Sequence, residues 1–225
     1  MFAVRRTHSV GRACNHRPAT FGMIATLVLA ACTGAPSSAT SSTGGSGSGG
    51  APISAADASA LLRSFDPAAA TANYLIIHED DPAVVAAAAD ALAAGAAGWE
   101  KWAATLVWAN QGDSVAPLVS LLTDPDPTIR VMAAAGVLSR GGVDGFAPLI
   151  DALDDAAVLA GSEPPVTIWL FAATTLVALT GESANGPPFD ADTGQQTTAK
   201  TRWTAWLAAH RATLRFDDVT AQWTW

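Results

Sequence analysis

The stretch from Asp113 to Asp155 constrains the fold of this chain more than any other. Val115, Leu118, Val119, Leu121 and Leu122 recur at the spacing of one helix face. Thr123-Asp124-Pro125-Asp126-Pro127 then stops the chain and starts it again. The Asp126 carboxylate can accept from the free amides of a helix start, and Pro127, with no amide to satisfy, suits the first helical position. Ile129, Met132, Ala133, Val137 and Leu138 make the apolar face of a second helix, which Gly141-Gly142 ends. Phe146, Leu149, Ile150 and Leu153 begin another. One such helix pair cannot bury its apolar face alone, so similar pairs must stack on it.

The chain supplies them. Lys101, Ala104, Trp108 and Gly112 lie 29 residues before Arg130, Ala133, Val137 and Gly141. A third copy falls on Leu170, Ala173, Val177 and Gly181, 40 residues further on, with an insertion around Val158–Pro165. The small residue in each copy allows neighbouring helices to approach closely, and the glycine ends the helix. Upstream, Ser54 is an N-cap for a short helix, and Asp66-Pro67 and Asp81-Pro82 repeat the start signal. The helix from Asp81-Pro82 ends at Gly95, and Gly98 precedes one carrying Trp99, Trp102, Leu106 and Trp108. Whether Trp99–Gln111 closes one pair or opens the next, both phases fit. Much of the hydrophobic half of the sequence is alanine, and tyrosine occurs once. Both favour helices over sheets, so the expected class is all-α, with no convincing strand.

Ala116-Pro117-Leu118, Leu121-Leu122, Asp126-Pro127, Ile129-Arg130, Ala133-Ala134, Leu138 and Gly141 resemble the HEAT-repeat family, and Ala147-Pro148-Leu149-Ile150 restarts the pattern. The resemblance is strongest over 113–155. It implies a short right-handed α-solenoid of about seven or eight helices, with a concave face lined by second helices that binds a protein or peptide. It also implies that Arg130 is a structural bridge in the repeat, together with Asp126 and Pro127, rather than a catalytic group. Lys101, Val85 and Leu170 stand at or beside the matching arginine position, so the inter-repeat ladder is expected to be interrupted. Lyases occur in the family, so the fold does not exclude an enzyme.

Residues 1–31 read as a targeting segment. Arg5, Arg6, Arg12 and Arg17 are the only charges before residue 57, and Phe21–Ala31 is an apolar run of 11 residues. A stable membrane span needs about 20 residues, whereas a signal-peptide core is of this shorter length. The run closes on Leu29-Ala30-Ala31-Cys32, which resembles the lipobox of bacterial lipoprotein precursors. That resemblance implies lipidation of Cys32, cleavage before it and a lipid-anchored, extracytoplasmic protein of the cell membrane or outer membrane; Thr33 permits the latter. Cys14 lies in the segment that would be removed. Residues 33–52, TGAPSSATSSTGGSGSGGAP, carry no charge and no large apolar side chain, the composition of a flexible tether. The expected organisation is therefore signal peptide 1–31, lipidated Cys32 and linker to 53, helical repeats 54–181, and a closing region 182–225. In that last part Ser183–Thr198 reads as a polar loop, Gln195–His210 as a capping helix bearing Trp203, Trp206 and Leu207, and Phe216, Val219, Trp223 and Trp225 as a tail folded onto it.

Several clusters carry side chains capable of chemistry. His78-Glu79-Asp80-Asp81 is the densest polar run, but no second histidine has a metal-binding spacing, and an acidic turn capping the next helix accounts for it. An enzyme built on Glu79, Asp80 or Asp81 is the weakest reading. Asp190, Asp192 and Gly194 faintly resemble a calcium loop, yet Thr201 stands where the bidentate glutamate belongs. His210 and Arg211 suit a helix C-terminus. The expectation is no catalytic residue, no metal and no cofactor. The eight tryptophans are the signal beyond a generic helical repeat. Trp99/Trp102 and Trp203/Trp206 are each three apart, hence neighbours on a helix. They either fill a core of thin alanine helices or form an exposed shelf that binds a peptide, glycan or small molecule.

Loss of residues 1–31 would leave eight basic against twenty acidic residues, a formal charge of −12 in place of −8. Such a surface repels phosphate backbones and disfavours a nucleic-acid partner. The reading that fits all of this is a membrane-anchored scaffold for a protein or peptide, with a glycan- or small-ligand-binding lipoprotein as the alternative.

Overall fold

A computed structural model describes residues 53–68, 75, 77–162, 165–188 and 190–225. The Cys32 assignment, the linker and most of the helix expected after Asp66-Pro67 lie outside them. The described residues are mostly helical: α1 Ala55–Arg63, α2 Pro82–Ala93, α3 Gly98–Gln111, α4 Ala116–Val119, α5 Pro127–Leu138, α6 Phe146–Asp151, α7 Ile168–Thr180 and α8 Thr193–His210. Three-residue and four-residue 3₁₀ turns extend α4 (Ser120–Thr123) and α6 (Ala152–Asp154). No described helix is long and apolar enough to cross a membrane.

The helix starts follow the side chains that cap them. Ser54, Asp81 and Asp126 each accept an amide of their helix's first turn, and Pro82 and Pro127 occupy the first helical position. The final helix begins at Thr193, two residues before the expected Gln195 and inside the Ser183–Thr198 stretch that reads as polar loop. Asp192 accepts from the Gln195 amide and the Gln195 side chain accepts from the Asp192 amide, a reciprocal capping box that draws in the residues before Gln196.

α2 packs on α3, α3 on α5, and α5 on α7, while α4 and α6 lie against α5. α3 and α5 run in the same direction. Arg140, just past the end of α5, reaches carbonyls at the end of α3, and Ala160 joins Trp102 near the start of α3 to Thr128 at the start of α5. Their approach is close because Gly136 has no side chain: a Cβ there would meet Leu118 at 2.6 Å and Ala109 at 2.8 Å. Every position from Trp102 to Asn110 is buried, and so is every position from Thr128 to Ser139 except Arg130. These helices have no open long face.

Two segments seal them. Residues 155–162 and 165–167 form a strap pinned by the Val158–Thr167 pairing, with Leu159 fully buried. The backbone of Ala160 accepts from Trp102 Nε1 at 3.1 Å and donates to Thr128 Oγ1 at 3.1 Å. At the opposite helix end the tail forms an antiparallel hairpin, β1 Arg215–Asp217 with β2 Gln222–Thr224. The strand is short and would be marginal alone. It holds because Phe216 and Trp223, paired across it, face inward: Trp223 Nε1 donates to Leu138 O at 3.1 Å, and Phe216 lies against Gly141. Gly141 adopts φ +77°, and an added Cβ would meet the Phe216 ring at 3.2 Å.

Candidate functional site

Six of the eight tryptophans fall in two clusters. Trp102 stacks on Phe65, with ring centroids 5.1 Å apart and 13° between planes, and Trp99 meets it edge-on at 6.0 Å. Trp203 and Trp206 sit on α8 against α6, where Phe146, Trp206 and Trp223 form a second aromatic cluster. Trp102, Trp203 and Trp206 are buried, while Trp99 is 41 % exposed. The four residues therefore form no common aromatic shelf. Alanine-rich helices leave volume that large rings fill, and the two pairs serve different parts of that core. The indole N–H groups of Trp203 and Trp206 are buried without an acceptor. Trp225, 44 % exposed, lies edge-on to Trp206 and beside His210.

Around the Asp124–Pro127 turn the charges are structural. Arg130 Nη1 donates to the carbonyls of Asp124 at 2.6 Å and Pro125 at 3.0 Å, closing the turn that precedes its own helix. Asp126 caps α5 through the Thr128 amide. Lys101, at the position matching Arg130 one copy earlier, pairs with Asp124 Oδ2 at 2.7 Å. Asp124 thus receives Lys101 on its carboxylate and Arg130 on its carbonyl. Lys101 thus ties α3 to the turn before α5, and neither Val85 nor Leu170 carries a charge that could make a matching pair.

The strongest polar clamp is one that sequence reasoning missed. Arg140 donates from Nε to Gly112 O at 2.8 Å, from Nη1 to Ala109 O and Gly136 O, and from Nη2 to Trp108 O. It satisfies the last carbonyls of α3 and sets a positive charge at the negative ends of two parallel helix dipoles. Its only sequence signal is a basic residue at the end of a helix.

Of the His78–Asp81 run, Glu79 turns inward. Its carboxylate accepts from Asn110 Nδ2 at 3.2 Å and Gln111 Nε2 at 3.3 Å. Burial raises its pKa from the ordinary 4.5; the two amides oppose the shift and the charge of Asp80 adds to it. Asp81 caps α2 and also accepts from the Ile53 amide at 3.3 Å, so the fold begins beside this turn. Asp192 is consumed by its capping box. It borders an open groove of about 450 Å³ with Pro187, Pro188, Gln195, Thr198 and Arg202. Among the described residues no group of three or more His, Cys, Asp or Glu is placed to hold a metal ion.

No family model, no curated protein and no solved structure matches this chain.

Proposed function

We propose that the chain is a lipid-anchored extracytoplasmic scaffold of HEAT-like hairpins, joined to its membrane through Cys32 and binding a protein or peptide partner. The observation that carries the reading is the junction at Ile53. The charge-free linker that follows Leu29-Ala30-Ala31-Cys32 ends where Ile53 bonds to Asp81 and Ser54 caps α1. Targeting segment, tether and helical body thus succeed one another without a gap.

The repeat-like arrangement is supported by parallel α3 and α5, by the recurrence of capped Asp-Pro starts and by the Lys101–Asp124–Arg130 link. The resemblance makes the second-helix face the default binding surface, but α3 and α5 are buried along almost their whole length. The partner surface accordingly moves to the outer turns and to the end carrying His210 and Trp225.

The anchor is tested by Cys32→Ser in the native cell. The variant is expected to lose lipid label and leave the membrane fraction; a variant that remains there without label overturns the anchor. Photocrosslinking from position 225 tests the scaffold. One saturable protein adduct is expected, competed by the unlabelled chain, and its absence from position 225 and from the exposed Val119 of α4 alike removes the reading.

A further inference from the structure

Most basic side chains after residue 53 are held by the fold. Lys101 pairs with Asp124, Lys200 with Asp154 and Arg211 with Asp144. Arg130, Arg140 and Arg215 donate to backbone carbonyls. That leaves Arg63 and Arg202, which make no hydrogen bond or ion pair among the described residues. Both are exposed, but only Arg202 lines the open groove of about 450 Å³ that α8 shares with the Pro187-Pro188 segment.

The α8 wall of this groove is regularly spaced. Asp192, Gln195, Thr198 and Arg202 follow at intervals of three, three and four residues, so they share one face of the helix. From Asp192 to Arg202 is about 15 Å along the axis. The fold uses part of each polar group and leaves the rest. Asp192 Oδ1 accepts from the Gln195 amide at 2.8 Å, which leaves Oδ2 to the groove. Gln195 Oε1 accepts from the Asp192 amide at 2.9 Å, which leaves Nε2 as a donor. Thr198 Oγ1 donates to Gly194 O at 2.8 Å, which leaves its lone pairs as acceptors. Along the helix the groove therefore offers an anion, a donor, an acceptor and a cation. The two prolines of the other wall have no amide hydrogen and a fixed backbone torsion.

We propose that this groove binds an extended peptide of about four or five residues, with a carboxylate on Arg202 and an ammonium on Asp192. The proposal rests on the peptide-partner reading above and gives that partner a site and a chemistry. An extended chain rises about 3.3 Å per residue, so four or five residues reach from one charge to the other. Its backbone brings a carbonyl for Gln195 Nε2 and an amide for Thr198 Oγ1. A lone anion would engage Arg202 and be repelled by Asp192 in the same groove. A nucleic acid would bring phosphates to that carboxylate and to an acidic surface.

The test titrates the purified chain in detergent with two peptides, read by calorimetry at low salt. Tetraalanine carries its charges on the chain ends, and acetyl-Lys-Ala-Ala-Glu-amide carries them on side chains. At least one is expected to bind saturably with Kd below about 1 mM, and the tighter one tells which source of charge the groove takes. Arg202→Gln and Asp192→Asn should each weaken it about fivefold or more. Both variants keep the fold, since Arg202 makes no bond and asparagine caps a helix about as well as aspartate. Arg63→Gln should bind as wild type does, and the neutral acetyl-Gln-Ala-Ala-Gln-amide should bind distinctly more weakly. Binding of neither charged peptide, or binding that Arg202→Gln leaves unchanged, overturns the proposal. The titration needs no membrane and no cellular partner. Its failure therefore leaves the anchor and the crosslink from position 225 standing, and their failure leaves the titration to decide the groove.

Discussion

Arg140 and Arg130 are ten residues apart, and the difference between them is what each one's carbonyls would do if it were gone. Arg130 closes an exposed turn, where water can replace it. Arg140 holds the terminal carbonyls of a buried helix, where water cannot. Arg140→Ala is therefore expected to cost about 3 kcal/mol in urea unfolding and Arg130→Ala about 1 kcal/mol. Arg140→Lys should recover less than half of the loss, since one ammonium cannot reach carbonyls on two helices as a planar fork does. Glu79 makes a prediction of opposite sense. A raised folded-state pKa means that the folded chain holds the proton more tightly than the unfolded one. Its contribution is fully present below the ordinary carboxyl pKa and is lost as pH rises through the raised value. The melting temperature of Glu79→Gln relative to wild type should thus climb as pH rises from the acid range to neutrality. A difference that is flat with pH would show Glu79 to be solvated.

At the scale of the element, the caps and the buried faces were readable from sequence. Asp126-Pro127 announces α5, and Ile129, Met132, Val137 and Leu138 are buried at their helical spacing. This is local physics, decided within two turns of chain. The reading failed where an element depends on a partner. Phe216 and Trp223 do not alternate over a long enough run to signal strands, and they become a hairpin because Leu138 and Gly141 receive them. Lys101 gave no sign of its bond to Asp124, 23 residues away, because a lysine at that place is equally at home in solvent. The contact of α3 with α5 is set by Gly136, and Gly136→Ala tests it. The added methyl finds Leu118 and Ala109 inside van der Waals distance, so a loss of about 1–3 kcal/mol is expected despite alanine's better helix propensity. An alanine variant as stable as wild type would mean that the two helices can part without cost.

At the scale of the whole molecule, the tail completes the core. Trp223 spans 85 residues to bond Leu138 and packs its ring against Phe146 at 5.3 Å. Asp217 holds the hairpin turn by accepting from Val219 at 2.8 Å, a bond that lowers the pKa of its carboxyl. Trp223→Ala should cost about 3–5 kcal/mol and Trp223→Phe distinctly less, because phenylalanine keeps much of the ring burial and gives up the N–H. Calorimetry reads both, and a single transition in each would show that the hairpin melts with the helices rather than ahead of them.

The sequence by itself determined the helical class, the starts and stops of most described helices, and the inward faces of α5 and α6, whereas Val119, expected on a buried face, is 45 % exposed. Those depend on periodicity, capping and backbone freedom, all written within a few residues. Only the tertiary structure decided which tryptophans are core and which surface, that Arg140 rather than Arg130 joins two helices, and that strap and tail pack at opposite ends of the buried helices. Those outcomes rest on contacts between residues far apart in the chain, whose side chains fit equally well in water or in a core until the neighbouring element arrives. The Asp113–Asp155 stretch announces its helices; the parts that pack on them, from Ala160 to Trp223, complete the core.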